Sequence, residues 1–375
     1  MIPYTLRELV IYFLKLGTWG FGGPVALVGY MHSDLVENKK WITEDDYKEG
    51  LALAQLAPGP LAAQLAIYLG FVHYRIMGAT LVGIGFVLPS FIIVLALGVT
   101  YISYGGLLWI QAVFYGVGAS VIGIIAVGSY KLTAKSIGKD KLLWIIFLTL
   151  SATTFITEQE ILWLIILGGL AVWFTRAPPR WLGTTSTIIP MALLQPVVTE
   201  SRLWDIAWFF TKAGAFVFGS GLAIVPFLYG GVVKEFQWLN EQQFIDAVAV
   251  AMITPGPVVI TVGFIGYLVH GFWGAVVAAI ATFLPCFLFT VIPAPYFKRY
   301  GRHPAIKAFV DGVTAAAIGA IVGAVLVLSK RTLTDLPTVV IAFTTAGILL
   351  KFRKLPEPLI IAVAALIGIT LKMIL

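Results

Sequence analysis

The stretch WITEDDYKEGLALAQLAPGP (41–60) and its twin WLNEQQFIDAVAVAMITPGP (238–257) share a tryptophan, a polar opening, an apolar run and a closing Pro-Gly-Pro. At an offset of 197 residues, Pro58, Gly59 and Pro60 fall on Pro255, Gly256 and Pro257. At the same offset KLGTWGFGGPVALV (15–28) falls on KAGAFVFGSGLAIV (212–225). After one residue of slip, MGATLVGIGFVLPSF (77–91) meets WGAVVAAIATFLPCF (273–287), with Pro89 facing Pro285. The chain is an internal duplication that has kept its helix breakers in register.

Hydrophobic residues make up 59% of the 375 and charged residues 11%, with a mean hydropathy of +0.96. Soluble domains run at roughly 45–50% and about 25%, so the expected solvent is a lipid bilayer. A spanning helix needs about 20 apolar residues, and such segments lie near 8–31, 49–74, 77–103, 107–130, 142–157, 160–175, 204–233, 245–269, 272–296, 305–329, 336–350 and 356–373. No ten-residue alternation of a membrane barrel competes with them. The expected fold is an all-α integral membrane protein of about 12–13 transmembrane segments in two homologous repeats. The N-terminal repeat is placed at 1–176, a connecting segment at 177–202 and the C-terminal repeat at 203–375.

Arg7, Glu8 and Lys15 interrupt the first apolar stretch, which runs into a Gly-rich break and does not read as a cleaved signal peptide. Cys286 is the single cysteine, excluding an internal disulfide or a thiolate cluster. His32, His73, His270 and His303 share no metal-ligand spacing. No metal or other cofactor is expected. The net charge of +7 sits in short loops with no basic domain, which argues against nucleic acid as a partner.

Those loops report orientation instead. In the first half, positive charge gathers at YKLTAKSIGKDK (130–141) and RAPPR (176–180); in the second half it gathers at KRYGRHPAIK (298–307) and KFRK (351–354), opposite first-half loops that carry none. The bias has switched sides, which predicts inverted repeats and an odd number of crossings before the second one. WLGTTSTIIPMALLQPVV (181–198) could supply that crossing or be re-entrant or interfacial. Lys39, Lys40, Lys330 and Arg331 count against the inversion.

Proline removes a backbone donor and glycine permits conformations that other residues avoid. In hydrocarbon such breaks are tolerated only against protein or a water-filled cavity, so they should face inward. A helix restarting after a break directs unpaired N–H groups and its positive end at whatever lies there, an arrangement suited to an anion. That reasoning selects Phe21, Gly22, Gly23, Pro24, Pro58, Gly59 and Pro60 in the first repeat, and Gly219, Ser220, Gly221, Pro255, Gly256 and Pro257 in the second. Glycine and proline also merely kink and pack membrane helices; two breaks duplicated in register favour a binding role.

Lys15 and Lys212 each lie six residues before a Phe-Gly pair. An intramembrane cation either serves the ligand or snorkels to the headgroups, and both readings stand. Gln55, Gln64, Thr254 and Thr261 flank the breaks and either donate to an oxyanion or tie helices together. Gln55 faces Met252, so the two halves need not bind equally. Thr43 with Asp46 and Asn240 with Gln243 read as helix caps behind interfacial tryptophans. Asp45, Asp46, Glu49 and Asp246 read first as structural, with gating or proton transfer as the alternative. Asp311 reads as an edge salt bridge with Arg302 or Lys307.

Phe-Gly-Gly-Pro, then Trp-[Ile/Leu]-x-x-x-x-[Tyr/Phe], then Gln-x-x-Pro-Gly-Pro, spread over both halves, resembles the long, two-domain form of the chromate transporter family across nearly the whole chain. The resemblance implies a multi-pass carrier of the plasma membrane that exports chromate down the electrochemical gradient, with halves inserted in opposite orientations and no catalytic activity. Sulfate uptake is the alternative within the family, since chromate and sulfate are both tetrahedral dianions. An anion channel and a membrane chromate reductase are the readings outside it, the second disfavoured by a single cysteine and no flavin or haem motif. Expected partners are chromate or sulfate and membrane lipid, with a homodimer left open. The FGSG of the second repeat and its Met252 depart from the first-repeat pattern, so the resemblance transfers binding roles first to Phe21 to Pro24 and Gln55 to Pro60.

Overall fold

The computed structural model describes residues 4–21, 23–104, 108–158, 162–178, 202–216, 218–219, 224–297, 303–352, 355 and 357–373. The first repeat comprises α1 (Leu6–Trp19), α2 (Gly23–Met31, prolonged by a π-turn His32–Asn38), α3 (Glu44–Leu56), α4 (Leu61–Tyr104), α5 (Leu108–Ser136), α6 (Lys141–Thr157) and α7 (Leu162–Arg176). The second repeats that series as α8 (Arg202–Phe216), α9 (Ile224–Leu228, prolonged by a π-turn Tyr229–Glu235), α10 (Glu241–Ile253), α11 (Thr261–Val291), α12 (Pro304–Thr332), α13 (Leu336–Lys351) and α14 (Glu357–Met373). Two-residue strands β1 (Gly59–Pro60) and β2 (Phe218–Gly219) interrupt the helices. The caps fall where expected: the Thr43 hydroxyl accepts from the Asp46 N–H at 3.1 Å, and Asn240 forms a reciprocal box with Gln243.

Four of the apolar segments read as straight spans double back on themselves. The Tyr12 hydroxyl donates to Asp34 at 3.1 Å across the break at Phe21, and Phe209 stacks on Phe227 across the equivalent break at Phe218. A side chain at Gly50 would strike the ring of Tyr68 across the Pro-Gly-Pro at 58–60. Each is a helical hairpin with its tip at the breakers. The physical reason is length: α1 has 14 residues and α3 and α10 have 13. At 1.5 Å per residue they reach about 20 Å, short of a hydrocarbon core of about 30 Å.

Helix α4 itself folds over at Arg75 (φ 52°, ψ −144°), and α11 does so at Gly271 (φ 60°, ψ −151°). A Cβ on Gly70 would lie 2.5 Å from the carbonyl oxygen of Gly78, and one on Gly266 would lie 2.4 Å from that of Gly274. Along an unbroken helix eight residues span about 12 Å, so in both helices a short first limb (61–74, 261–269) turns into a long second limb. Each repeat is thus two re-entrant hairpins followed by four crossing helices: the second limb and the three helices after it.

The repeats are inverted. Helix α12 is the counterpart of α5, which runs opposite to α6, yet α12 runs alongside α6 in the same direction, Phe147 meeting Gly319 and Ser151 meeting Gly323. Asp140 and Asp311 meet Arg176 at one end of the bundle, while Glu158, Lys234 and Arg331 meet at the other. Asp311 therefore pairs with Arg176, not with Lys307; Arg302 lies outside the described residues. The hairpin return also resolves two apparent exceptions to the charge rule. Lys39 lies over Trp41, which stacks on Tyr4, so Lys39 and Lys40 sit at the end from which α1 departs, the same end as 131–141. Arg331, at the far end, is matched by Glu158 and Glu241. Arg176 and Arg202 lie at opposite ends of the bundle; the segment 181–198, expected to cross, lies outside the described residues.

The largest buried cluster mixes Val94, Ile122 and Ile125 of the first repeat with Phe210, Phe244 and Phe264 of the second. Exposed Ile84, Leu88, Ile92, Ile145, Leu148, Ile280 and Leu284 supply the outer apolar surface that a bilayer covers.

Candidate functional site

The four hairpin tips meet in two pairs, and each pair joins the repeats. β1 and β2 pair in parallel, Gly59 opposite Phe218 and Pro60 opposite Gly219. The Gly256 N–H donates to the Gly20 carbonyl at 2.9 Å. Gly256 is the counterpart of Gly59, and Gly20 precedes Phe21, the counterpart of Phe218, so one contact occurs twice about a pseudo-twofold axis. Each Pro-Gly-Pro is held by the Phe-Gly break of the other repeat.

Only glycine fits the two pivots. Gly59 has φ +140° and its Cβ would lie 2.7 Å from the amide of Gln64; Gly256 has φ +91° and its Cβ would lie 2.1 Å from the Ser90 hydroxyl. Both φ values are in the region L side chains avoid.

The carbonyls freed by the breaks are met by side chains, as a buried backbone requires. The Gln64 amide donates to the Pro58 carbonyl at 2.7 Å, the Thr261 hydroxyl to Val258 at 2.7 Å and the Thr254 hydroxyl to Val250 at 2.7 Å. These polar residues thus spend donors on their own breaks, while Gln64 keeps an unpartnered buried Oε1. The second repeat also engages backbone donors at its break: a 3-10 turn (Val258–Ile260) takes the Ile260 N–H to Pro257 and the Thr261 N–H to Val258, whereas the first-turn N–H groups of the helices restarting at Gly23 and Leu61 have no acceptor within their helices.

The other expected site residues divide by accessibility. Lys15 and Gln55 are exposed, and Phe21, Gly23, Pro24 and Pro58 are half-buried. Lys212 is half-buried with its ammonium 5.7 Å from the Trp208 ring centre. Pro60, Pro255 and Pro257 are buried. Gly22, Ser220 and Gly221 lie outside the described residues.

Ser90 was not among the sequence candidates. It is fully buried and its hydroxyl donates to Pro255 at 2.7 Å, tying the second limb of α4 to the other repeat's tip. Its signal was a hydroxyl just after the intramembrane Pro89, where the twin has Cys286 after Pro285. Also missed was the far-end network, in which Arg331 and Lys234 both contact Glu158 and Glu241, joining α12, the π-turn after α9, α10 and the loop after α6. The Arg331 and Lys234 contacts hold the Glu158 carboxyl down at about 2.

The two halves differ in packing. Every residue from Phe244 to Met252 in α10 is buried, and α10 lies along α5 and α14. In α3, Lys48 and Gln55 are exposed and Glu49, Leu51 and Ala52 are half-buried. Glu44, the counterpart of Glu241, pairs among the described residues with His32 at 2.9 Å and Lys48 at 3.2 Å, both in the hairpin region, whereas Glu241 meets Arg331 of a crossing helix.

Comparison with known proteins agrees with the duplicated architecture. The family described as "Chromate transporter" matches twice, over residues 7–173 and 204–369. The chain is 69% identical to a chromate transport protein of Cupriavidus metallidurans, over 98% of this chain and 93% of that one. It is 61% identical to a probable chromate transport protein of Synechococcus elongatus, over 98% and 95%. An uncharacterized transporter of Bacillus subtilis matches 39% of this chain at 29% identity over 84% of its own length, about one repeat. No solved structure matches. The chain belongs to the chromate transporter family.

Proposed function

We propose that the protein is a carrier exporting chromate across the plasma membrane, with the dianion held at the central meeting point of the hairpin tips. The observation carrying this reading is the double cross-repeat contact, Gly59 with Phe218 and Gly256 with Gly20, which sets the broken helices of one repeat against those of the other. A tetrahedral dianion placed there would meet backbone N–H groups and positive helix ends, with Lys15 and Lys212 on the helices that lead in. The relatives named for chromate transport supply the substrate.

The basic end of the bundle is assigned to the cytoplasm by its excess of Lys and Arg. Exposed α3 beside packed α10 is read as a conformer open to that end, with the Arg331 network closing the other. Rocking the hairpins against the crossing helices would exchange the two states. Moving a dianion outward, with an inside-negative potential of 100 mV, releases about 4.6 kcal/mol, at about 2.3 kcal/mol per charge. Export therefore needs no second ion, whereas sulfate uptake by the same site would.

The test is accumulation of radiolabelled chromate and of sulfate in cells expressing the protein, beside Lys15→Met and Gly59→Ala at matched abundance. Lower chromate in the parent, restored by either variant, supports export through this site. A rise in sulfate accumulation transfers the reading to uptake, and no change in either anion withdraws it.

A further inference from the structure

We propose that Asp246 is a proton-binding site that latches the outer hairpin of the second repeat, neutral while α10 is packed shut and ionised when it opens. The inference rests on the carrier reading above. Asp246 is 4% exposed, in the middle of the buried run of α10. Its Oδ2 accepts from the Tyr101 hydroxyl at 2.7 Å and its Oδ1 from the Gln242 amide at 2.8 Å. Tyr101 belongs to the first repeat, on the second limb of α4, so this contact joins the repeats.

A carboxylate removed from water needs a cation or a proton, and among the described residues no cation contacts Asp246. The charges nearby are already engaged. Glu241, about 7.5 Å back along the helix, and Tyr229 and Lys234 of the adjoining π-turn belong to the Arg331 network. From α5, Tyr115 donates to Asp335 at 2.7 Å and lies under Lys372 of α14. From α11, Tyr267 packs on Gly98 and His270 is exposed. Tyr101 is the titratable group that reaches the carboxyl, and it is neutral.

The duplication supplies an independent observation. At the offset of 197 the counterpart of Asp246 is Glu49, also an acid, on α3 and hydrogen-bonded to the Tyr68 hydroxyl. Both repeats thus place an acid ten residues before the pivot glycine and give it a tyrosine. The packed hairpin buries its acid; the looser one leaves its acid half-buried.

The closed hairpin therefore binds the proton more tightly than the open one. Protonation favours closure at low pH on the outer side, and that contribution is lost as outer pH rises through the closed-state value. One proton changes the ratio of the two states by up to about tenfold per pH unit.

Everted membrane vesicles present the outer side to the lumen. With the potential clamped, the rate of chromate entry should rise as luminal pH is raised from about 6 to about 8, by up to about tenfold per unit. Asp246→Asn should run at the wild-type low-pH rate with a flat profile. Tyr101→Phe removes a donor to the carboxylate and should move the midpoint up by about one unit. A wild-type profile in Asp246→Asn, or an unmoved midpoint in Tyr101→Phe, overturns the proposal. Should Asp246→Asn fail to accumulate, Tyr101→Phe decides alone. A readout without transport separates this inference from the carrier reading. In a Cys286→Ser background, Ala247→Cys should react with an impermeant maleimide faster at high outer pH when Asp246 is present, relative to the Asp246→Asn background at the same pH. Equal labelling in the two backgrounds sinks the latch even if chromate moves; a difference with no chromate flux sinks the substrate instead.

Discussion

The re-entrant hairpins of the two repeats are assembled from the same parts, but α10 of the second is buried without a gap from Phe244 to Met252 while α3 of the first is half open. Backbone plan is shared: a capped helix, a Pro-Gly-Pro pivot, a short limb, a sharp turn. What differs is the ring of polar partners at the entrance. In the second repeat Glu241 reaches across to Arg331; in the first, Glu44 turns back to His32 and Lys48. Inverted repeats of near-equal structure can occupy two mirror-related states, and a few polar contacts at each mouth suffice to choose between them.

The severest way to break the comparison is at the pivots. Gly256→Ala meets the Ser90 hydroxyl, itself bonded to Pro255, in an enclosed place, whereas Gly59→Ala meets the end of the flexible Gln64 chain. We expect Gly256→Ala to abolish transport and Gly59→Ala to lower it by about tenfold or more, from backbone strain of about 1–3 kcal/mol in each. Chromate flux at matched abundance checks the order, and equal losses would show that the surroundings of the pivots do not matter.

At the mouth, Arg331→Met should unlatch the second hairpin and raise the reactivity of a cysteine at position 247 by about tenfold, since it leaves Glu158 and Glu241 with one cation between them. Glu158 is held down at about 2, so its share of closure is present above the ordinary carboxylate value and lost only as pH falls through about 2. The contribution of Glu158 is accordingly flat between about pH 5 and 8 while Arg331 is present.

Deeper in, Lys15→Met and Lys212→Met compare an exposed lysine with one lying near Trp208. If both serve the anion, each raises the KM for chromate about tenfold, and the charge-keeping Lys→Arg variants recover part of it; a snorkelling lysine leaves KM alone. The smallest effect belongs to the caps: Thr43→Ala and Asn240→Ala should each cost about 1 kcal/mol of stability, read as matched falls in Tm. Unequal falls would mean that the packed mouth of the second repeat compensates.

Much of this was legible in the sequence because it was written twice. The duplication, the breaks and the charge inversion each rest on paired observations, and the caps on local spacing. Hairpins were not legible, because 25 apolar residues have the same hydropathy whether they run straight or fold at the middle; only the short reach of α1, α3, α8 and α10 beside their breakers hints at it. Lys39 and Lys40 looked misplaced for the same reason. Partners distant in the chain were out of reach as well: nothing near Ser90 names Pro255, and nothing near Asp311 names Arg176.

The crossed grip at the centre bears on how the molecule is made. When the ribosome has finished the first repeat, Gly59 and Gly20 lie in the membrane with the partners of their backbones still untranslated, so the half-made protein calls for shelter by the insertion machinery until residues 218 and 256 arrive. A gene split in the 177–202 region should yield two pieces that are each degraded alone and rescued together.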